Sequence, residues 1–435
     1  MKALIAAAPD SAVRALEAAL KADNSGGAAG VIRDLVNAEA VERRACAEVL
    51  APLLQLCGPP HSELVRLNFP AETPRRLWRA LKQAARSDVE HAVAAWLGRA
   101  WSDSSPPVFD KLCARAAKGL REGQPEFAPV THLLASTGAD AVARLALVLE
   151  LAPLARTAVH HLPEWLNRTT GAHAAAMRLI YKDAVQHSEG AGPLLLEVIF
   201  GHLAEPWLVM KIVAALMDTP NERYVAASEL ASFPLRLFES ADRCIEAIRS
   251  VDETRGAEAG VEAAHAVSRA LSTLTALESA LSLQKDGPWA NRLTQQRRAL
   301  AGAVEGRFIE VEAALNAALP LQSSRTAAKA LTGLPKLVHP PEPRLLGRAA
   351  ALLAFLEESR AVADGGGFGT LRARAHELAQ TRLDQYADDL LEMRQAGASP
   401  QEAEFIGQYL EAAAGLVAVL QGDKAATVLR RRAAA

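Results

Sequence analysis

The stretch 191–217 constrains the fold more than any other, because nearly all of its side chains are apolar. A membrane-spanning helix needs about 20 consecutive apolar residues with few or no charges. Two glutamates, a histidine and a lysine interrupt this stretch, so its charge-free runs are much shorter. The residue before a proline avoids the helical conformation, and Glu205–Pro206 therefore predicts a break between two helices. We expect a central helical hairpin, at about 193–204 and 206–217, that other helices cover.

Both helices of this hairpin are apolar around most of their circumference, which is typical of helices packed on several sides. Side chains of each helix should then lie in the core of the protein. Five of them are predicted to be nearly inaccessible to solvent: Leu196, Ile199, Leu208, Ile212 and Leu216.

The remaining sequence predicts an all-α fold. Ala, Leu, Glu and Arg favour helix because they lose little side-chain entropy there, and β-branched runs bounded by turn residues are almost absent. Many predicted helices before residue 250 are short and closely linked. Such helices stack as hairpins in two layers in α-solenoids of the HEAT or armadillo kind. No fixed repeat period occurs in the sequence, so this comparison concerns architecture and not family.

Three sequence patterns predict where helices begin. In a capping box, a Ser or Thr side chain and a Glu three residues later satisfy amide hydrogens that the first helical turn leaves unpaired. The pattern occurs at Ser87–Glu90, Thr219–Glu222 and Ser399–Glu402. In the second and third boxes, proline also occupies the first helical position, which strengthens the prediction.

The predicted helices become longer in the last two-fifths of the chain. Residues 253–284 lack proline, and the next helix continues to about 319 with one apolar stripe, as in a helix bundle. A proline-rich loop containing one short helix follows, and the glycines of 365–369 predict a flexible linker. We therefore expect an α-solenoid-like domain at 1–250 and a bundle of long helices at 251–435.

Net charge and cysteine usage set the expected compartment. The formal net charge is -2, so the whole protein has no general attraction to nucleic acid or membrane. The four cysteines lack paired metal-ligand spacing and are predicted to be buried, reduced thiols of a reducing compartment. The apolar run near the N-terminus is shorter than a secretory signal requires. We expect a cytoplasmic protein without a transmembrane segment, and the sequence leaves its oligomeric state open.

No motif in the sequence identifies an enzyme. The phosphate-binding pattern GxxxxGK[ST] and the nucleophile pattern GxSxG are both missing. Three groups contain potential metal ligands: His160, His161, Glu164 and His173; Glu262 and His265; and Asp384, Asp388, Asp389 and Glu392. Pro163 is expected to break the helical register of the first group, and the other two lack the second ligand set that their chemistry needs. We expect no catalytic residue, no metal and no other cofactor.

A basic segment is the one feature that suggests binding. Between residues 61 and 121 there are eleven Lys/Arg against six Asp/Glu. Two sets of cations recur at steps of three and four residues, and each set should follow one face of one helix. The predicted binding face comprises Arg75, Arg79, Lys82, Arg86, Lys111, Arg115, Lys118 and Arg121. Long cationic side chains also cover the wet face of ordinary amphipathic helices, and this alternative stays open.

These observations favour a non-enzymatic scaffold or adaptor that binds another macromolecule, most readily a protein, through its helical surface. The first alternative is a nucleic-acid-binding protein with a basic groove, similar in architecture to HEAT-like DNA glycosylases. A metal-dependent helical enzyme that uses the Asp384–Glu392 cluster is the second. Salt-dependent binding to DNA or RNA would distinguish the first alternative, and stoichiometric bound metal would indicate the second.

Overall fold

The structure is a computed structural model that describes residues 1–21, 28–98, 105–217, 220–325, 331–397 and 399–434. The described residues form 22 α-helices and one two-stranded sheet, so the predicted all-α fold class is confirmed. The chain divides into two compact units, Met1–Pro220 (unit 1) and Asn221–Ala435 (unit 2). The solenoid-like stacking predicted for the first part stays a prediction.

Unit 1 consists of short helices, with the exception of α3. Its helices are α1 (Lys2–Ala7), α2 (Asp10–Lys21), α3 (Ala28–Val49), α4 (Ala51–Leu54), α5 (Thr73–Ala84), α6 (Arg86–Leu97), α7 (Pro107–Arg121), α8 (Ala128–Leu134), α9 (Ala141–Glu150), α10 (Ala152–Asn167), α11 (Gly171–His187), α12 (Ala191–Gly201) and α13 (Val209–Leu216). Short 3-10 turns precede α8 (Pro125–Phe127) and α13 (Pro206–Leu208). Buried aromatic rings, among them Phe109 and Phe200, fill the space between these helices.

The predicted central hairpin is formed by α12 and α13. Leu196, Ile199 and Ile212 are buried, as the sequence predicts. The prediction is wrong for Leu208 and Leu216, which are only half-buried. The chain after Pro206 makes a 3-10 turn before α13 starts at Val209, so the helical face differs from the predicted one. Core positions are occupied instead by three neighbouring side chains, Val209, Met210 and Val213.

Unit 2 contains most of the long helices. Its helices are α14 (Glu222–Ala226), α15 (Ser232–Arg249), α16 (Ala257–Ala280), α17 (Pro288–Ala318), α18 (Pro343–Glu358), α19 (Arg360–Gly366), α20 (Gly369–Gln395), α21 (Pro400–Gln421) and α22 (Asp423–Ala434). The centre of the unit is α18, which packs against α16, α17 and α21. Six consecutive residues of α18, 351–356, are buried, so neighbours enclose this helix on all sides.

The described residues differ from two local predictions for this half of the chain. The proline-rich loop contains a β-hairpin, β1 (Leu321–Arg325) paired antiparallel with β2 (Leu331–Pro335), and no short helix in its described residues. The glycine-rich segment is packed: Gly365 and Gly366 end α19, and the ring of Phe368 is buried against Phe308. The sequence shows the glycines clearly but does not show where the single aromatic ring between them packs.

The two units divide at residues 220 and 221, well before the predicted boundary at 251. The reason is that α15 packs closely on α16 and also contacts α17, so it belongs to the compact second unit. Helix length changes near 251, and the sequence prediction rested on that change. Independent folding of either segment stays a prediction.

One described helix, α21, is long and apolar enough to cross a membrane by length and composition alone. The core helices of soluble proteins meet the same criteria. Apolar side chains of α21, such as Leu410 and Val417, are buried within unit 2, where the helix contacts α18, α20 and α22. This finding is compatible with the predicted lack of a transmembrane segment.

Candidate binding groove on helix α5

Helix α5 carries the first basic set, and its sequence explains its orientation. Pro74 occupies the first turn, where its missing N–H costs no hydrogen bond. Leu77, Trp78 and Leu81 are buried on one face, which leaves the cations on the other. Arg86, however, is not part of this helix. The backbone leaves the helical conformation at Ala85 (φ -151°, ψ 51°) and α6 begins at Arg86, so the predicted single stripe ends at Lys82.

A groove of about 650 Å³ runs along the exposed face of α5. Its opposite wall comes from the α1–α2 connection and from α3. Arg75 crosses this groove and donates a hydrogen bond to the Ala8 carbonyl at 2.6 Å, with Asp10 at 3.7 Å. Lys82 donates to Glu42 Oε1 at 2.6 Å. These contacts hold both cations against the opposite wall.

The floor of the groove combines an aromatic ring with fixed charges. The indole N–H of Trp78 donates to Glu42 Oε1 at 3.0 Å, the oxygen that also binds Lys82. Arg43, on α3, pairs with Glu39 at 2.8 Å and Asp10 at 2.5 Å. Since Trp78 is buried and hydrogen-bonded, its ring position is fixed before any partner arrives. The groove is therefore largely preformed.

A second cleft, of about 430 Å³, lies on the other side of the exposed face of α5 and includes Glu126 and Pro129 in its lining. Arg76 closes one end, because it pairs with Glu72 at 2.6 Å and donates to the Pro129 carbonyl at 3.1 Å. Four residues line both the groove and this cleft: Glu72, Arg75, Arg79 and Gln83. Their spacing of three, four and four residues places them on one straight row of the helix, which we call the α5 ridge.

Arg79 is the exception within the α5 ridge. Its side chain is exposed and has no hydrogen-bond or ion-pair partner among the described residues. The groove as a whole carries balanced charge, with four cationic and four acidic residues in its lining. The face predicted to be basic is thus locally neutralised, and Arg79 is the cation that remains available.

The second basic set lies on α7 and shows a similar pattern. Lys111 pairs with Asp88 at 2.8 Å, Lys118 with Glu122 at 3.7 Å and Arg121 with Glu150 at 2.5 Å. Arg115 is half-buried and has no side-chain partner within the described ranges. The second set thus pairs with residues of α6 and α9, whereas Arg75 and Lys82 of the first set contact residues of α2 and α3. The structure brings Arg75, Arg79 and Lys82 together in one groove, but it does not gather all eight predicted residues there.

Two thiols in the groove lining lack the properties of a nucleophile. Burial raises the pKa of Cys57 to about 12 and raises that of Cys46 further above the usual thiol range. The thiolate is the form that attacks electrophiles and binds metals. Both cysteines are therefore protonated at neutral pH, and they contribute apolar surface to the groove rather than chemistry.

The groups suggested as metal ligands are engaged with other side chains. Within the described ranges, no three His, Cys, Asp or Glu side chains are placed to hold one ion. Glu262 is held by Arg255 through two contacts of 2.8 Å. Asp388 pairs with Arg432 at 2.7 Å. The predicted break at Pro163 is wrong, because α10 continues through this proline, and Glu164 lies 3.1 Å from His173.

No known family, curated protein or solved structure matches this chain. The groove residues are therefore the basis for any functional inference. Sequence reasoning found the cations of α5 but missed Glu42, which fixes the groove, and Gln83, which completes the α5 ridge. Periodicity alone could have found Gln83, whereas the partner on α3 depends on tertiary packing.

Proposed function

We propose that the protein is a non-enzymatic cytoplasmic scaffold or adaptor that binds a partner protein through the α5 groove. The observation that supports this most directly is the state of Arg79. Its neighbours on α5 are held by internal acceptors, whereas Arg79 projects from the boundary of two clefts without a described partner. An unpaired guanidinium beside a preformed groove is suited to protein recognition, because arginine is enriched at the centres of interfaces.

The charge pattern favours a protein partner over nucleic acid. A nucleic-acid groove binds phosphates with many available cations, and each neutralised phosphate increases the salt dependence of binding. Here Arg75, Arg76 and Lys82 already contact acidic side chains or carbonyl oxygens. A phosphate backbone would have to displace these contacts and approach four carboxylates. A protein surface with mixed charges avoids that cost.

Site-directed photo-crosslinking in the native cell tests this proposal. A photoreactive phenylalanine at Gln83, an exposed position that lines both clefts, should give one discrete crosslinked protein. The matched control places the same group at Ala143, an exposed position of α9 outside the groove. The proposal fails if Gln83 gives no crosslinked protein, gives the same products as Ala143, or gives nucleic acid instead.

A further inference from the structure

The two clefts flank the α5 ridge over its full length. From Glu72 to Gln83 the ridge extends about 16 Å at the rise of an α-helix. One side is the larger groove, whose wall includes apolar surface from Ala47, Leu54 and Pro74. The other side is the smaller cleft, with Ala80 and Pro129 in its lining. Any chain that occupies both clefts must cross the ridge between them.

The charges along the α5 ridge are unequal in their availability. Glu72 is paired with Arg76, and Arg75 with the Ala8 carbonyl and Asp10. Gln83 is neutral. Arg79 is therefore the single charged group of the ridge that lacks a described partner, and it lies between the two clefts.

We infer that the groove and the smaller cleft are two halves of one site, and that its occupant is a segment of a partner protein with an acidic side chain on Arg79. This inference rests on the proposed function and specifies its partner. Apolar side chains on either side of the acidic residue enter the two clefts, and the carboxylate forms a charge-assisted hydrogen bond with the guanidinium. The paired carboxylates of the lining exclude a second acidic residue nearby, since like charges repel at short range.

One carboxylate fits this position better than a run of phosphates does. A single available cation matches a single anionic group, and the planar guanidinium binds the two oxygens of a carboxylate side by side. The nearest cations are held by internal acceptors, and Glu72 and Glu126 would oppose a second negative group in the smaller cleft. The site thus selects a partner with an isolated acidic residue between apolar residues.

A peptide library tests this inference on the full-length protein. Random 12-residue peptides displayed on phage are selected against the wild-type protein, the Arg79→Glu variant and the Arg144→Glu variant. Arg144 is a matched control, because it is exposed on α9, has no described side-chain partner and lies outside both clefts. The wild type and Arg144→Glu should select peptides with Asp or Glu flanked by apolar residues. Arg79→Glu should select Lys or Arg at that position instead.

The affinities of the selected peptides identify the pairing. Arg79→Glu should weaken binding about tenfold, and so should replacement of the peptide's acidic residue by its amide. If the two groups contact each other, both changes together should weaken binding little more than either change alone. Selected peptides without an acidic residue would overturn the inference, as would no selection at all or tight Arg79-dependent binding of an oligonucleotide. The proposed function is judged separately, because the crosslink at Gln83 depends on contact alone and not on an acidic residue.

Discussion

At the residue scale, single side chains and single glycines decide how the helices of unit 2 meet. Gly260 of α16 lies so close to α18 that a Cβ atom there would be 1.9 Å from the Ala351 carbonyl oxygen. The buried carboxylate of Glu222 accepts hydrogen bonds from the amides of Gln284 and Trp289, at 3.1 and 2.7 Å. The second of these amides lies in the first turn of α17, so Glu222 satisfies a helix start that would otherwise be unpaired.

Replacement of Gly260 by alanine should destabilise the protein. The added methyl group would clash with the backbone of α18, and overpacking of this kind typically costs about 1–3 kcal/mol. Gly302→Ala is the matched control, because that glycine lies in the long helix α17 with open space around its Cβ position. It should leave stability unchanged or raise it by up to about 1 kcal/mol. Chemical denaturation of both variants measures the difference, and equal stabilities would contradict the observed approach of α16 and α18.

Replacement of Glu222 by alanine should also lower the free energy of unfolding. Hydrogen bonds to a charged group contribute about 1.5–3 kcal/mol, and two backbone amides, of which that of Trp289 is buried, would lose their acceptor. Glu312→Ala, on the exposed face of α17, is the control and should change stability by less than about 0.5 kcal/mol. Urea denaturation of the two variants compares them. If they were equally stable, the Glu222 carboxylate would not be an essential cap.

At the scale of helices, sequence reasoning succeeds where the signal is local. The capping box at Ser399 is confirmed, since its side chain and that of Glu402 bond reciprocally to the backbone. The box at Ser87 is wrong, because α6 starts at Arg86 and its N-cap is Ala85. Thr219 lies outside the described residues, but the predicted helix start there is wrong, because α14 begins at Glu222 with Asn221 as its N-cap. A cap depends on the exact first turn, and the N-cap of α6 lies two residues before the predicted one.

The same limit explains the central hairpin and the groove. Apolar content identified α12 and α13 as buried, but the 3-10 turn after Pro206 shifted the face by an amount that periodicity does not reveal. On α5, cation spacing identified Arg75, Arg79 and Lys82. The neutralising contact from Glu42 could not be predicted, because it lies 40 residues away along the chain.

The corrected hairpin predicts a clear order of mutant stabilities. Ile212 is 2% exposed, and Ile212→Ala should cost about 2–5 kcal/mol through lost burial and the cavity that remains. Leu208 is half-buried in the 3-10 turn, so Leu208→Ala should cost less. Thermal or chemical unfolding of both variants measures this order. If Leu208→Ala lowered the free energy of unfolding more than Ile212→Ala does, the buried helical face predicted from the sequence would be the correct one.

At the scale of the whole molecule, the division at 220 and 221 makes a prediction about folding. A fragment comprising residues 221–435 contains Glu222, α14 and α15, whereas a fragment starting at 251 lacks them all. The longer fragment should unfold cooperatively, and the shorter one should be less stable because α16 loses its contact with α15. Circular dichroism during heating compares the two. If both fragments unfolded at the same temperature and with the same cooperativity, the boundary at 251 predicted from helix length would be favoured.

We propose that unit 1 binds a partner protein through the α5 groove. Reversing the two cations that lack described partners tests it more cleanly than reversing the whole basic face, since Lys82→Glu would place a carboxylate against Glu42. Exposed charges contribute little to stability, so Arg79→Glu and the control Arg144→Glu should remain folded. Arg115 is half-buried, so the fold of Arg115→Glu is checked by circular dichroism before binding is measured.

The most direct measurement is a calorimetric titration. The purified partner protein that the Gln83 crosslink identifies is titrated into each purified variant. We predict that Arg79→Glu weakens binding and raises the dissociation constant at least about tenfold. Arg144→Glu should leave the dissociation constant within about twofold of the wild-type value. An effect of Arg115→Glu as large as that of Arg79→Glu would show that the α7 set belongs to the same surface. Unchanged affinity of a folded Arg79→Glu variant would contradict the claim that the α5 groove is the binding site.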